Sequence, residues 1–210
     1  MVGKKVVMGI TGLIGVGFVI VHALGNLLAF RGPDAINTYS RFLKSTGELL
    51  WALRIVLVVA VILHVTAAIQ LTRQSRAARS IGYAKYEIQV ATISSRTMRW
   101  GGALLLLFIV LHILHFTTGT IRPSGAFSQH DVYANIVLSF RIWWVALFYI
   151  VAMIALGLHL YHGAWSSVRS IGVSPASPRP LHRRVSLVIA VLVWAAFTSI
   201  PIAVVLGILR

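Results

Sequence analysis

The chain has 210 residues, of which 58% are hydrophobic and only 11% charged, and its mean hydropathy is +0.87. Soluble domains carry about 25% charged residues, so this composition excludes an ordinary soluble domain and indicates a protein embedded in lipid. No cysteine is present, which excludes disulfides, thiolate-held iron–sulfur clusters and covalently attached c-type haem on this chain. The net charge of +15 comes from basic residues that flank apolar segments, where topology and lipid head groups explain them, so no nucleic-acid partner is predicted.

Five apolar segments follow one another along the chain, each close to the ~20 residues that a helix needs to cross a bilayer. They cover residues 5–30, 49–71, 98–118, 142–166 and 185–209. Helices are expected because backbone groups in lipid have to find their partners within the segment. The sequence therefore predicts an all-α fold, a single transmembrane domain over residues 1–210 with five helices.

The first segment follows Lys4 and Lys5, as a signal peptide would. Its apolar run is longer than the usual 7–15 residues, so we interpret it as a retained helix. The loops are short, the longest covering residues 74–97, and none can hold a catalytic domain. A hydrophilic active site is therefore expected on another subunit. Pro175, Pro178 and Pro180 predict a stiff connector between helices four and five.

The basic residues predict the orientation. Twelve of the nineteen Lys and Arg residues fall on the side of the N-terminus, and the bias favours a cytoplasmic N-terminus and an external C-terminus. The twelve are Lys4, Lys5, Arg73, Arg76, Arg79, Lys85, Arg96, Arg99, Arg169, Arg179, Arg183 and Arg184.

Histidines are the functional signal of this sequence. Eight occur, six of them inside predicted helices, and ionisable residues at membrane depth are functional by default. Helices one to four each carry at least one and helix five carries none, while His130 and His182 fall in predicted loops and receive no role. For any single histidine, an interhelical hydrogen bond remains the alternative.

The depth of the histidines sorts four of them into two pairs. With a rise of ~1.5 Å per residue, His22 and His112 lie ~20–25 Å along outward-running helices, in the outer half of the membrane. His64 and His159 lie equally far along inward-running helices, in the inner half. A b-type haem takes one imidazole on each side of its iron, supplied by facing helices. The pattern predicts two haems, one for each pair.

Neighbouring residues modify this interpretation. Gly15, Gly101 and Gly163 lie near the histidines and could leave room for a macrocycle, although close helix packing explains a small residue equally well. His115 and His162 lie one turn beyond His112 and His159. Either could compete as a ligand, or hydrogen-bond a propionate or a quinone carbonyl.

The chain resembles the single-chain, five-helix cytochrome b subunit of succinate dehydrogenase and fumarate reductase. The resemblance rests on GVGFVIVHALGNLLAF in helix one, LRIVLVVAVILHVTAAIQLT in helix two, SRTMRWGGALLLLFIVLHILHF in helix three and ALFYIVAMIALGLHLYHGAW in helix four. It covers residues 4–207. The resemblance implies two haems b, ligated by His22 with His112 and by His64 with His159. A glycine four residues after the histidine of helix four, matched by Gly163, favours His159 over His162.

The resemblance also implies a prokaryotic cytoplasmic membrane and a set of partners. A flavoprotein subunit with FAD would oxidise succinate, and an iron–sulfur subunit would dock on the cytoplasmic face. Electrons would enter at the inner haem and reach the outer haem and a quinone, which the family suggests is menaquinone. The basic inner segments would hold the topology, and neutralise haem propionates or meet the partner.

The quinone site is less defined. Glu48 and Trp51 stand at the outer start of helix two, where an acid could exchange protons with a quinone, although the helix dipole also favours an acid there. His115 and Tyr39 are further outer candidates. An inner site near Ser95, Arg99 and Trp100 remains an alternative.

Two other functions fit parts of the pattern. A cytochrome b anchor of a hydrogenase or formate dehydrogenase would share the paired histidines but dock a different soluble partner. A haem-free anchor or transporter would use the histidines only for hydrogen bonds. A transporter more often shows broken helices at repeated positions and intramembrane acids, which the predicted helices lack.

Overall fold

Long helices dominate the molecule. The computed structural model describes residues 2–78, 93–172 and 180–210, and within these ranges the chain forms helices and no strands. The prediction of an all-α membrane bundle is confirmed. In the described residues five helices are long and apolar enough to cross a membrane. They are Val2–Arg31, Glu48–Ala77, Ile93–Thr117, Trp143–Ser170 and Leu181–Val205.

Seven α-helices are found in the described ranges. They are α1 (Val2–Asn26), α2 (Pro33–Ser45), α3 (Glu48–Ala77), α4 (Ile93–His112), α5 (Val132–Phe140), α6 (Trp143–Ser170) and α7 (Pro180–Val205). A 3₁₀ turn, Leu27–Arg31, continues α1, and a π-helical turn, Ile113–Thr117, continues α4. Five of the seven correspond to the predicted segments, with ends that differ by a few residues.

The start of α7 corrects one prediction. The helix begins at Pro180, so His182 lies in its first turn and not in a loop. Proline suits the first helical position, because its fixed φ is helical and its missing N–H has no partner there anyway. The predicted connector residues Pro175 and Pro178 lie outside the described residues, as do the basic residues Arg79, Lys85 and Arg179.

The short helices α2 and α5 were not predicted, because the search for long apolar runs does not detect them. Helix α2 nevertheless carries helix signals: Pro33 at its start, Asp34 in its first turn and Lys44 in its last. Gly32 and Gly47 flank it with φ angles of 95° and 53°. Only glycine adopts these readily, which lets the chain turn on both sides of α2.

Side-chain hydrogen bonds join α2 to α5. Asn37 Nδ2 donates to Asp131 Oδ1 over 3.0 Å, and the backbone N–H of Tyr133 donates to Asn37 Oδ1 over 3.2 Å. Asp131 also caps α5 by accepting from the Ala134 N–H over 2.9 Å. These hydrogen bonds, that from Ala134 first and that from Asn37 second, lower the pKa of the Asp131 carboxyl. The α2–α5 unit lies at the end of the bundle where α1 ends and α6 begins, called here the far end.

The long helices fall into pairs that pack against each other and pairs that do not. Helix α6 is central and packs against α1, α4 and α7, while α3 packs against α1. Across the described residues, α1 and α4 make little or no direct backbone contact, and neither do α3 and α6. Only 11% of the most apolar stretch of α3 is buried inside the protein, and the same holds for α4, against 39% for α7. Within the described residues α3 and α4 also make little or no direct contact, so the bundle is open on that side; we call α1–α4 and α3–α6 its two diagonals.

Among the residues that the structure describes, the largest buried apolar cluster lies at the far end. Ile136 and Phe140 of α5 pack there with Val145 and Tyr149 of α6 and with Ile200 of α7. Within a membrane, close packing of such side chains, and not their withdrawal from water, stabilises the contact between helices. This cluster fixes the start of α6, and with it Tyr149, relative to the end of α4.

Candidate functional site

Two histidine pairs bridge the diagonals of the bundle. The ring centroids of His22 on α1 and His112 on α4 are 5.9 Å apart, with the ring planes at 80°. The centroids of His64 on α3 and His159 on α6 are 6.2 Å apart, with the planes at 60°. The structure therefore brings together the same partners that the depth argument paired.

The two pairs lie at different levels of the bundle. His64 contacts Thr11 of α1, eleven residues before His22, and His112 contacts Tyr149 of α6, ten residues before His159. At ~1.5 Å per residue, both helices put the levels about 15 Å apart. The His64–His159 pair is nearer the end of the bundle where α1 begins, called here the N-terminal end.

Backbone contacts fix the ring of His64. Its Nδ1 lies 3.2 Å from the carbonyl oxygen of Met8 and 3.2 Å from Thr11 Oγ1, while the Thr11 hydroxyl lies 2.7 Å from the carbonyl oxygen of Val7. A carbonyl only accepts, so Nδ1 of His64 carries the proton. A neutral imidazole has one protonated nitrogen, which leaves the lone pair of Nε2 free for a metal.

Glycines face the rings of this pair. A Cβ on Gly12 would lie 3.4 Å from Cε1 of His64, and one on Gly102 would lie 3.9 Å from Cε1 of His159. Nδ1 of His159 is buried and has no hydrogen-bond partner among the described residues. A buried polar atom without a partner costs about 1–3 kcal/mol, a cost that a bound group could remove.

Open space adjoins further glycines. A Cβ on Gly15, Gly101 or Gly163 would meet nothing within 4 Å. Gly15 lies on one stripe of α1 with Thr11 and His22, because residues four and seven apart share a helix face. The face of α1 between the two levels is therefore not filled by neighbouring side chains.

Aromatic rings surround the His22–His112 pair. Phe18 stacks on His22 with ring centroids 5.2 Å apart, and Phe197 of α7 lies 5.6 Å from the same ring. Phe108 stacks on His112 at 5.5 Å, and Phe116 lies 5.7 Å away. The surroundings of this pair are thus largely apolar.

His115 is engaged by protein groups on both sides of its ring. Its Nδ1 lies 3.0 Å from Tyr149 Oη, and its Nε2 lies 2.8 Å from Ser139 Oγ. The π turn after His112 carries this ring toward α5 and α6. His115 therefore has no free nitrogen for a metal here, which favours His112 as the ligand on α4.

A cavity of about 700 Å³ opens at the N-terminal end, between α1, α3 and α6. It is lined by Lys5 and Arg169 and by two buried atoms, Gln74 Oε1 and His162 Nδ1, that find no hydrogen-bond partner within the ranges the structure describes. Met8 lines it too, so it adjoins the His64–His159 pair. His162 thus faces this cavity, with Trp165 packed edge-on at 5.0 Å.

The predicted quinone residues lie in separate places. Glu48 is exposed at the start of α3, and Trp51 is 61% exposed with the Arg54 guanidinium over its ring. In the described part of the chain neither hydrogen-bonds to a histidine or stacks on one. Tyr39 packs against Gly25, three residues after His22. At the N-terminal end, Arg99 and Trp100 are exposed and Ser95 is half-buried.

Several residues of the site were missed from the sequence. Thr11, Gly12, Gly102, Ser139 and Tyr149 surround the histidines but come from other helices, at positions that no local motif marks. The sequence offered only one sign of such residues, a hydroxyl group in an otherwise apolar segment, as at Tyr149. Such hydroxyls are too common in membrane helices to single out a site.

The residues present fit a haem better than an isolated metal ion. In residues 2–78, 93–172 and 180–210, no three His, Cys, Asp or Glu side chains converge to form a metal cage. Two imidazoles that bind one iron, each through a nitrogen at about 2 Å, bring their ring centres about 6 Å apart. Both pairs have this spacing, so each could hold the iron of a haem between its two imidazoles.

Five membrane-length helices with two histidine pairs in their interior define a class: a multi-pass membrane protein with paired histidines between diagonal helices. The chain is similar to a curated protein, the succinate dehydrogenase cytochrome b558 subunit of Bacillus subtilis (strain 168). The two are 25% identical over 191 residues, which is 90% of this chain and 88% of the relative. This similarity confirms the resemblance stated from the sequence. No protein-family model and no solved structure matched the chain.

Proposed function

We propose that this chain is the dihaem cytochrome b membrane anchor of a succinate:quinone oxidoreductase. It would carry electrons from an iron–sulfur subunit through two b haems to a quinone, which the resemblance suggests is menaquinone. The relative, described as a succinate dehydrogenase cytochrome b558 subunit, supports this at the level of the complex. The observation that carries the proposal is that two histidine pairs bridge the two diagonals of the bundle. Their ring centroids are 5.9 Å apart in His22–His112 and 6.2 Å apart in His64–His159.

Each haem would be held by two helices that otherwise barely touch. His22 and His112 would hold one, and His64 and His159 the other. Bound haem b supplies one-electron transfer, and its potential follows its axial ligands and their surroundings. The protein orients the ligands: Met8 and Thr11 hold His64, and aromatic rings pack around the His22–His112 pair.

The N-terminal end is proposed to face the cytoplasm. Lys5, Arg73, Arg76, Arg96 and Arg169 all lie at this end, and positive residues favour the cytoplasmic side. Of the four acids, Asp34, Glu48 and Asp131 lie at the far end, and Glu87 is outside the described residues. The iron–sulfur subunit would therefore dock at the N-terminal end. The flavoprotein subunit with FAD would sit beyond it and perform the dicarboxylate chemistry.

The quinone would bind within reach of a haem. Glu48 and Trp51 remain the candidate residues on the outer side, with the Ser95–Arg99–Trp100 region as the inner alternative. His115, the third outer candidate, would have to exchange its hydrogen bond to Tyr149 or to Ser139 for one to the quinone. The position of Tyr39 beside Gly25 supports the far end, because it brings a phenol within one turn of His22 along α1.

The test is a reduced-minus-oxidised visible spectrum of the purified membrane complex, with haem counted per chain. We expect two haems b per chain that succinate reduces. Covalent flavin on a partner subunit would further identify the dehydrogenase. Haem reducible by hydrogen or formate, but not by succinate, would assign the chain to another respiratory anchor. Absence of haem would contradict the proposal and favour a haem-free anchor or transporter.

A further inference from the structure

Three buried polar side chains form a continuous hydrogen-bonded chain beside His112. Tyr149 Oη lies 3.5 Å from His112 Nδ1 and 3.0 Å from His115 Nδ1. Nε2 of His115 lies 2.8 Å from Ser139 Oγ. Tyr149, His115 and Ser139 are 8%, 6% and 3% exposed, so water does not replace these contacts. The chain joins α4, α5 and α6 at the far end.

Metal binding at His112 would fix the direction of every hydrogen bond in this chain. A neutral imidazole carries one proton, so Nε2 can bind iron only while Nδ1 holds the hydrogen. His112 Nδ1–H then donates to Tyr149 Oη, and the Tyr149 hydroxyl donates to His115 Nδ1. His115 Nε2–H donates in turn to Ser139 Oγ. The opposite direction would put the proton on Nε2 of His112 and block the metal.

We propose that Tyr149 is a positioning residue of the His22–His112 centre, where it orients the His112 ring and lowers the potential of the haem held there. This inference rests on the proposed haem function. An axial imidazole that donates from its second nitrogen is held in one orientation and is a more basic ligand, and a more basic ligand favours the oxidised metal. His115 and Ser139 fix the Tyr149 hydroxyl so that its oxygen remains an acceptor for His112.

The other centre lacks this arrangement. His64 directs Nδ1 to the carbonyl of Met8 and to Thr11, and Nδ1 of His159 has no partner in the described part of the chain. A change at Tyr149 should therefore affect one haem and leave the other as an internal reference. A general loosening of the bundle would affect both.

The test uses the complete membrane complex carrying Tyr149→Phe or Ser139→Ala. Tyr161→Phe is the matched control, because Tyr161 lies on the same helix and its hydroxyl makes no hydrogen bond within the described residues. Each haem is followed by a visible redox titration and by the low-field EPR signal of its ferric form. That signal reports the orientation of the axial ligands, which a purely structural role of Tyr149 would not change at one haem alone.

We expect Tyr149→Phe to raise the potential of the haem at His22–His112 and to move its EPR signal, while the second haem stays unchanged. Ser139→Ala should give a smaller shift in the same direction, and Tyr161→Phe none. Wild-type behaviour of both haems in Tyr149→Phe and Ser139→Ala, or an equal shift of both haems, would overturn the inference. If Tyr149→Phe loses the haem at His22–His112, the redox titration and the EPR signal of Ser139→Ala decide: a shift at that haem alone supports the inference, and wild-type values overturn it. A wild-type complex without haem would overturn the proposed function itself, before any substitution is made.

Discussion

Nδ1 of His64 lies 3.2 Å from the carbonyl oxygen of Met8, and this contact between α3 and α1 determines which nitrogen of the ring carries the proton. The proton on Nδ1 leaves the lone pair of Nε2 free for a metal. A backbone carbonyl cannot be removed by substitution, so this part of the site is fixed by the packing of α1 against α3. The imidazole is thereby oriented before any metal or macrocycle binds, which lowers the entropic cost of binding.

The histidine pairing predicts selective loss of haem. If the proposed ligands are right, His64→Ala or His159→Ala should remove the haem proposed nearer the N-terminal end, and His22→Ala or His112→Ala the one proposed nearer the far end, because each iron would lose one of its two protein ligands. The two haems are distinguished by their redox potentials and EPR signals in the purified complex. His130→Ala, in an exposed loop, serves as the control and should keep both. Equal loss of both haems in all four variants, with the subunit still folded, would contradict the pairing.

The open face of α1 predicts a difference between two neighbouring glycines. A Cβ on Gly15 or on Gly17 meets nothing within 4 Å. Gly15 shares the face of His22, whereas Gly17 is exposed and about 200° around the helix from Gly15, at about 100° per residue. Gly15→Leu should leave the amount of folded subunit unchanged but reduce bound haem at least several-fold, because the leucine would occupy the space of the macrocycle. Gly17→Leu should bind haem as the wild type does, and a loss of haem there would argue that the space beside Gly15 is not the haem site.

The contact between α1 and α2 predicts a loss of stability. A Cβ on Gly25 would lie 2.6 Å from Cε1 of Tyr39, which is closer than real carbon contacts. Gly25→Ala should therefore destabilise the subunit by about 1–3 kcal/mol, the usual cost of overpacking. Thermal unfolding in detergent measures this loss. Gly25→Ala combined with Tyr39→Ala should recover part of it, and no recovery would show that the clash lies elsewhere.

Asp131 predicts an acid-dependent weakening of the α2–α5 unit. Its carboxylate accepts from the Ala134 N–H and from Asn37, and these hydrogen bonds lower its pKa in the folded protein. A lowered folded pKa contributes stability that is present above the unfolded pKa of about 3.9 and is lost as the pH falls through the folded value. Asp131→Ala should cost about 1 kcal/mol at neutral pH through loss of the helix cap.

Melting temperatures at pH 7 and pH 3, compared between the wild type and Asp131→Ala, test this prediction, because the difference between the two proteins isolates this one carboxyl. The loss on acidification should be smaller in Asp131→Ala than in the wild type. Glu48→Gln, an acid in the first turn of α3, provides the comparison and should retain most of the wild-type acid sensitivity. An unchanged pH dependence in Asp131→Ala would assign the acid sensitivity to another group.

The cavity at the N-terminal end predicts an electrostatic effect on the haem proposed at His64–His159. Arg169 lines this cavity ten residues after His159, about 15 Å along α6. Arg169→Gln removes a positive charge and should lower the potential of the haem at His64–His159. At an effective dielectric of about 20 the change is at most about 1 kcal/mol. Redox titration measures it, and Arg41→Gln, on α2 at the far end of the bundle, should give a smaller shift. An equal or larger effect of Arg41→Gln would contradict this role of Arg169.

Hydropathy predicted the five spanning helices because the length of a membrane helix is set by the bilayer, whatever packs beside it. The sequence also indicated the pairing of the histidines, since the helical rise converts position into depth and alternate helices run in opposite directions. It did not reveal α2 and α5, because their helical character depends on caps and on docking to each other through Asn37 and Asp131. The same limit applied to His182, whose helix begins at Pro180 and not where the apolar run starts.

By itself, the sequence determined what the bilayer requires of this protein: five apolar helices, their alternation and the depth of each histidine. These properties follow from the hydropathy and the position of each residue, together with the fixed rise of the helix, and need no knowledge of which helices pack together. Only the tertiary structure decided which atoms meet. Met8 and Thr11 reach His64, Tyr149 reaches His112 and His115, and Gly102 faces His159, because residues far apart in sequence are brought together by the rotation and diagonal placement of whole helices. Those rotations result from the sum of many weak packing contacts, and no local pattern in the sequence records that sum.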